Sequence, residues 1–422
     1  MKKYLLGTAL LAVVSTPAMA DTFKLKPLID MRLRYENVDQ DGFTEDADAV
    51  TVRTRAGAEL ANKSWSFLVE AEGTLAINED YNSGVNGKAS FPVVADPENI
   101  ELNRAQVQFK GLPKTVVTVG RQRINLDDQR FVGSVGWRDN EQTFDAVRVE
   151  WTGIKNLKLD ATYAWSDRTI WGIDGTLATT PPRPQAVEGD NVFANLTYTT
   201  KLGALTGFYY RVDEDEAAVA LLRNSSQTYG ARFAGALPFS KAVKLTYAAS
   251  YAHQTDIDTN PINYSTDYYM GEAGIEAGPI KLLGGVEVLG SDGSVATKAT
   301  GAAFAGGFAF QTPFATLHKF QGWADKFLVT PAQGITDYYG TIGYSVKKKG
   351  PFDVIGLTAT YHRFDSDRLD INYGDEIDVQ LLAKVKKYTF TLKYADYQRE
   401  GISSFTGDAD TKKFWASVEW AF

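Results

Sequence analysis

The sequence predicts an all-β protein: one closed antiparallel β-barrel of eighteen strands that crosses a membrane. Three observations predict it. Apolar and polar residues alternate with period two along nearly the whole chain, which is the signature of strands. Connectors between these runs are by turns short and long. Tyr, Trp and Phe collect near strand ends (Trp65, Tyr163, Trp165, Tyr251, Tyr388, Tyr394, Trp420), while Val, Leu, Ala and Gly fill the middles. That is an apolar band between aromatic girdles; in a soluble sandwich the large rings would pack centrally.

The first strands show the rule most clearly. In 24–38, Ile29, Met31, Leu33 and Tyr35 share one face, opposite Asp30, Arg32, Arg34 and Glu36. In 49–61, Val50, Val52, Thr54 and Ala56 oppose Arg53, Arg55 and Glu59. In 64–76, Trp65, Phe67, Val69 and Ala71 oppose Glu70 and Glu72. The pattern then recurs at 99–109, 115–124, 143–151, 157–166, 191–199, 204–213, 226–237, 243–253, 263–277, 280–289, 335–345, 353–364, 374–384, 388–397 and 410–422. Many of these runs match the ~9–11 residues of a tilted membrane crossing. An even strand number returns both ends to one side. The short connectors ("ANKS", "KGLPK", "TGIKN", "VKK") read as periplasmic turns. The long ones, rich in Gly, Asp, Asn and Pro, read as extracellular loops.

The last strand, "FWASVEWAF", places Phe414, Ala416, Val418, Trp420 and Phe422 on one face. A free apolar edge invites aggregation, so the reading needs lipid against that face and a closed ring.

The N-terminal "MKKYLLGTALLAVVSTPAMA" has two lysines, an apolar run and an A-x-A site, so residues 1–20 read as a secretory signal peptide cleaved after Ala20. Residues 21–422 are then one barrel domain. Losing Lys2 and Lys3 takes the formal charge from −8 to −10, which argues against a nucleic-acid partner. Cysteine is absent, so no disulfide framework is used. No segment holds 18 consecutive apolar residues, which excludes helical spans. Together these features place the chain in a Gram-negative outer membrane, in contact with lipid and lipopolysaccharide.

The polar faces define an expected lumen. They carry Arg32, Arg34, Arg53, Arg55, Arg104, Arg148 and Arg232, against Asp30, Glu36, Glu70, Glu72, Glu150, Glu272 and Glu287. Two readings stand side by side: a solvated wall of mutual ion pairs, and an arginine ladder that binds an anionic solute bidentately. The stretch "VGRQRINLDDQRFVGSVGWRDNEQTFDAVR" adds Arg121, Arg123 and Arg130 and is expected to fold into the pore. Its strand phase is ambiguous, because placing Arg121 and Arg123 inside also turns Val117 and Val119 inward. In "FQTPFATLHKFQGWADKFLVTPAQG", Thr312-Pro313 resembles a helix start, with Leu317, Phe320, Ala324, Phe327 and Leu328 at helical spacing. A short helix and an irregular loop are both open over 313–328.

The stretches "RLRYENVDQDG", "TVRTRAG" and the two long motifs above resemble the alginate export family of outer-membrane barrels. The resemblance spreads from residue 32 to 331. It implies an eighteen-stranded barrel with an Arg-rich lumen for an acidic polysaccharide, with Arg121, Arg123, Arg130 and Arg148 in the pore. Separately, Phe422 and the alternating aromatics before it resemble the signal that barrel-assembly machinery reads in outer-membrane proteins at large. In a dedicated exporter of this family a long periplasmic turn plugs the pore, whereas every short connector here is brief. The expectation is therefore a porin-like channel passing anionic or polar solutes such as acidic saccharides or carboxylates. Export of an alginate-like polymer is the alternative, and a barrel enzyme acting on lipid or polysaccharide is a more distant one.

Catalytic and metal signals are thin, and no cofactor is expected. The three histidines are scattered, and His362 near Asp365 is the only local pair. In "NVDQDGFTEDAD", Asp39, Asp41 and Asp48 fall at calcium-loop spacing, without flanking helices.

Overall fold

The computed structural model describes residues 22–215, 218–304, 306–401, 405 and 407–422. The expected signal peptide lies outside the described residues. Eighteen antiparallel strands form one sheet. They are β1 (Lys24–Gln40), β2 (Ala47–Ala61), β3 (Trp65–Asp80), β4 (Asn99–Phe109), β5 (Thr115–Gln122) and β6 (Thr143–Trp151). Then come β7 (Leu157–Arg168), β8 (Ala186–Thr199), β9 (Ala204–Val212), β10 (Ser226–Pro238), β11 (Val243–Asp256) and β12 (Ser265–Ala277). The last six are β13 (Ile280–Leu289), β14 (Ile335–Lys349), β15 (Phe352–Asp365), β16 (Asn372–Val385), β17 (Tyr388–Arg399) and β18 (Thr411–Ala421).

Each strand pairs with its neighbour in sequence, and β1 also pairs with β18 from Asp30↔Ala421 to Gln40↔Thr411. That last ladder closes the ring and leaves no edge strand. All eighteen predicted runs are strands, several of them extended by a few residues at the long-loop end. Gly278 takes a left-handed φ of 58° in the two-residue connection from β12 to β13, a geometry that glycine adopts without steric cost.

Alternation sorts the faces as expected. Leu33, Leu75, Leu196, Ile342, Leu381 and Leu392 point outward and are exposed, as are the girdle residues Trp65, Tyr163, Trp165, Tyr251 and Tyr388. Among the described residues no helix is long and apolar enough to cross a membrane; strands make the crossing. Inside, the main apolar cluster sits where loops enter the barrel and includes Phe144, Phe193, Phe314, Phe327, Phe364 and Trp415.

The phase of β5 is resolved against the resemblance. Thr118 and Gln122 are buried and face inward, while Val119 is 44% exposed. Arg121 shares the outward face with Val117 and Val119, and there it pairs with Asp145 on β6 at 2.8 Å. Two valines in mid-strand cost more to turn into a wet lumen than one ion-paired arginine costs near a membrane interface.

Leu392 lies mid-strand on the outer face, opposite Leu381 and Ala416. Leu392→Arg is expected to destabilise the barrel by about 2–4 kcal/mol, read as a lower urea midpoint for unfolding from lipid vesicles. Arginine at the neighbouring inward position, Thr391, is expected to cost far less.

Candidate functional site

Two long connectors fold into the barrel. One is residues 123–142, between β5 and β6; the other is 310–334, before β14. The second is not helical. Its only regular turn is a 3₁₀ segment, Leu317–Lys319. Gln321, Gly322 and Asp325 all adopt positive φ (49°, 78° and 59°), which ends any helix. Thr312 does not cap a helix; its hydroxyl accepts a hydrogen bond from Arg130 Nη1 at 2.9 Å. The apolar residues at helical spacing serve separate contacts. Phe314 meets Phe144 and Phe193, while Phe327 meets Phe364 and Tyr397.

The two loops interlock before they touch the wall. Gly133 N–H donates to Phe314 O at 2.8 Å and Thr316 N–H to Gln129 O at 3.1 Å. Gln142 Nε2 donates to both Gly133 O and Phe314 O. The pair acts as one plug, satisfying backbone groups that burial would otherwise leave unpaired.

Arginines from the wall then seize the plug. Arg32 binds Asp139 at 2.6 Å and Trp137 O at 2.8 Å. Arg34 donates to Trp137 O at 2.6 Å and pairs with Asp96. Arg55 pairs with Glu72 and reaches Asp139 O at 3.2 Å. From the loop side, Arg123 meets Glu141 at 2.5 Å, Arg130 meets Glu287 at 2.7 Å and Arg138 meets Asp325 at 2.8 Å. Of the remaining candidates, Arg53 pairs with Asp30 and Glu419, Arg104 with Glu70, Arg148 with Asp160, and Arg232 with Asp127 and Asp128. Every predicted arginine is therefore ion-paired, and Arg32, Arg34, Arg53, Arg55 and Arg130 are buried. The geometry is a wall-to-plug lattice and not an open cationic ladder.

Several residues central to this lattice carried no signal of their own in the sequence. Asp96 lies in an irregular connector, and it also accepts the Asp139 N–H at 2.6 Å. His318 stacks on Trp137 with centroids 4.4 Å apart, and Lys393 Nζ lies 2.6 Å from its Nε2. Lys393 also sits 3.6 Å from the centroid of Trp323, a cation–π contact inside the barrel. Asp325 gathers His318, Arg138 and Lys413.

Two smaller expectations are corrected. His362 does not engage Asp365, which pairs with Arg363; its Nδ1 lies 2.9 Å from Asp337, one strand away. Strand neighbours alternate faces, so residues three apart point opposite ways. Asp39 and Asp48 stand on the paired strands of a hairpin, with Asp41 at its tip, and do not wrap one loop. Asp48 already accepts hydrogen bonds from Tyr35 and Asn37. Among the described residues no group of three or more His, Cys, Asp or Glu could hold a metal ion.

At the long-loop end a cavity of about 660 Å³ opens between the plug and the outer loops. Arg183 and Lys326 line it, and among the described residues neither makes an ion pair with a carboxylate. Arg183 lies over Trp171 at 4.7 Å and donates to Gly84 O; Lys326 donates to Thr411 at 2.9 Å. Burial, with Lys413 adding to it, lowers the Lys326 ammonium to about 8. Phe314, Leu317 and Leu328 are among the apolar residues of the lining.

The latch residues respond to acid. Burial opposes ionisation of Asp325, but His318, Lys413 and Arg138 outweigh it and hold the carboxyl well below its usual range. Burial lowers His318 to about 3, with Asp325 opposing and Lys393 adding to the shift. Between that value and the ~6.5 of an unfolded histidine, only the unfolded chain takes up the proton. Stability from His318 is therefore complete above about pH 6.5 and falls as pH drops toward 3. Hydrogen exchange across 314–328, corrected for intrinsic rate, is expected to quicken on acidification below about pH 6.5, and His318→Gln should flatten that dependence.

The sequence model for alginate export matches residues 25–262. No curated protein matches the chain. The fold is similar to that of OccAB2 from Acinetobacter baumannii, with a TM-score of 0.68, 13% identity, and 94% of this chain and 98% of that one covered. It is also similar to OpdL of Pseudomonas aeruginosa (0.65, 14%, 94% and 98%) and to OpdK of the same organism with vanillate (0.64, 12%, 94% and 98%). At such identities the likeness speaks for the fold, whereas the family match spans more than half of the sequence. The chain belongs to the alginate export family, as an eighteen-stranded outer-membrane β-barrel.

Proposed function

We propose that the protein is a porin-like channel for anionic or polar solutes, acidic saccharides or small carboxylates among them, and not an enzyme. The observation that carries this reading is the outer cavity, where among the described residues Arg183 and Lys326 make no ion pair with a carboxylate, although Asp167, Glu214 and Asp325 share the lining. A guanidinium over an indole and an ammonium opposite offer an incoming carboxylate a charged and a stacking surface at once. Deeper in the lumen, Arg104, Arg123 and Arg148 are only partly buried, each paired with a carboxylate of the wall or plug, Glu70, Glu141 and Asp160 in turn. The structural neighbour carrying vanillate, itself a carboxylate, supports the same solute class.

Export of an alginate-like polymer is the second reading, favoured by the family match. It requires the interlocked loops to part, since a polymer cannot detour around them. Short turns at the end opposite the long loops favour the passive channel. The outward face of β18 and Phe422, whose N–H closes onto Ile29 O at 2.8 Å, serve in this reading as the lipid contact and the signal for the assembly machinery.

Reversal potentials in a salt gradient across planar bilayers test the proposal. The unmodified protein is expected to prefer chloride over potassium, and Arg183→Ala with Lys326→Ala should move that ratio toward unity. Arg121→Ala, on the outer face, should leave it unchanged. A cation preference in the unmodified channel would overturn the reading.

A further inference from the structure

The end of the barrel opposite the long loops has a charge pattern of its own. Eight short connections make that rim, and none of them contains Asp or Glu. Lysine stands in, or within two residues of, every one. In an outer-membrane barrel this rim faces the periplasm.

The density peaks in two neighbouring hairpins. β14 runs through Lys347, Lys348 and Lys349 into its turn to β15, and β16 brings Lys384 to the turn Lys386-Lys387 before β17. The register sets the two groups side by side. Lys347 and Lys384 both lie opposite Val354 of β15, one from each flank. Alternation turns them toward the lumen, because Val354 is in phase with the buried, inward His362. The outward positions at the same depth are Val346, Ile355 and Val385. Apolar side chains therefore meet the leaflet here, and the ammonium groups meet water at the mouth.

Two of the six lysines are engaged. Lys348 pairs with Asp353, the one acid in these hairpin ends, and Lys387 Nζ lies 3.6 Å from the ring centroid of Phe422. Lys347, Lys349, Lys384 and Lys386 are exposed, and among the described residues none of them makes an ion pair. Four uncompensated like charges in two adjacent turns repel one another, and a counter-ion of several charges relieves that repulsion. A lysine ammonium is a compact charge on a flexible stem, so such a set can close around an anion of no fixed shape, where arginine would demand a planar one.

We infer that these two hairpin ends form a binding site for a polyvalent anion from periplasmic solution, a solute bearing several closely spaced phosphate or carboxylate groups. The site stands at the opposite end of the barrel from the outer cavity and is independent of the channel reading. An anion held there sits at the rim of the pore.

Inorganic tripolyphosphate is the probe, titrated by calorimetry into the full-length barrel in non-ionic detergent at low salt, a measurement that needs no conductance. Saturable binding is expected, and it should weaken as salt is raised. Replacing Lys347, Lys349, Lys384 and Lys386 together by Gln should weaken it by about tenfold, the sum of four modest exposed ion pairs. A control barrel with Lys110, Lys155, Lys201 and Lys241 replaced by Gln loses the same charge elsewhere on the rim and should bind as the unmodified protein does. Glycerol phosphate, the soluble counterpart of a lipid headgroup, should bind far more weakly than tripolyphosphate. Absence of saturable heat would overturn the inference, and so would equal weakening in the two four-lysine variants. Equal affinity for glycerol phosphate would assign the patch to lipid headgroups and overturn it as well. Heat-modifiable mobility on gels reports folding; if the first variant does not fold, Lys349→Gln with Lys386→Gln, both at turns, decides in the same direction.

Discussion

A backbone N–H or C=O left unpaired in hydrocarbon costs several kcal/mol, and this constraint organises the whole molecule. It forbids an edge, so β18 must return to β1 and the ladder must close. Closure fixes two faces of opposite character. The outer one meets lipid and takes Leu, Val and Ile with aromatic rims; the inner one receives every charged side chain that alternation sends there. Nothing in this closure requires a particular lumen, which is why one barrel architecture serves many channels.

The interior of this barrel is set by pairing. A buried arginine without a counter-ion is strongly unfavourable, whereas a paired one is close to neutral in stability and demanding in geometry. Arg32, Arg34 and Arg55 are held in this way by Asp139, Asp96 and Glu72. The lattice therefore specifies where the plug sits more than it strengthens the barrel. Among the described residues it leaves Arg183 and Lys326, at the outer cavity, without an ion-paired carboxylate.

A plug that is latched by charge and stacked rings is also one that conditions can loosen. His318 lies between Trp137 and Trp323, within reach of Asp325 and Lys393. Its neutrality at physiological pH keeps Lys393 beside it without like-charge repulsion. Asp325 holds Arg138 and Lys413, two cations that also line the outer cavity.

The sequence by itself determined the strands, their number, the phases of the runs whose alternation is clear, and there the sorting of lipid-facing from lumen-facing residues. Alternation is local, and each strand states its own faces without reference to any other. The inward positions of Arg32, Arg34, Arg53, Arg55, Arg104 and Arg148 were legible for that reason. Only the tertiary structure decided what those arginines touch, since Arg32 meets Asp139 across 107 positions of sequence, a separation at which no periodicity operates. It also decided that 313–328 is an irregular insertion and not a helix, because wall contacts outweigh the weak intrinsic preference of a short apolar-periodic segment. The outward turn of Arg121 and the pairing of His362 with Asp337 belong to the same class. Both depend on which neighbouring strand lies alongside and in which register, and that is fixed when the ring closes.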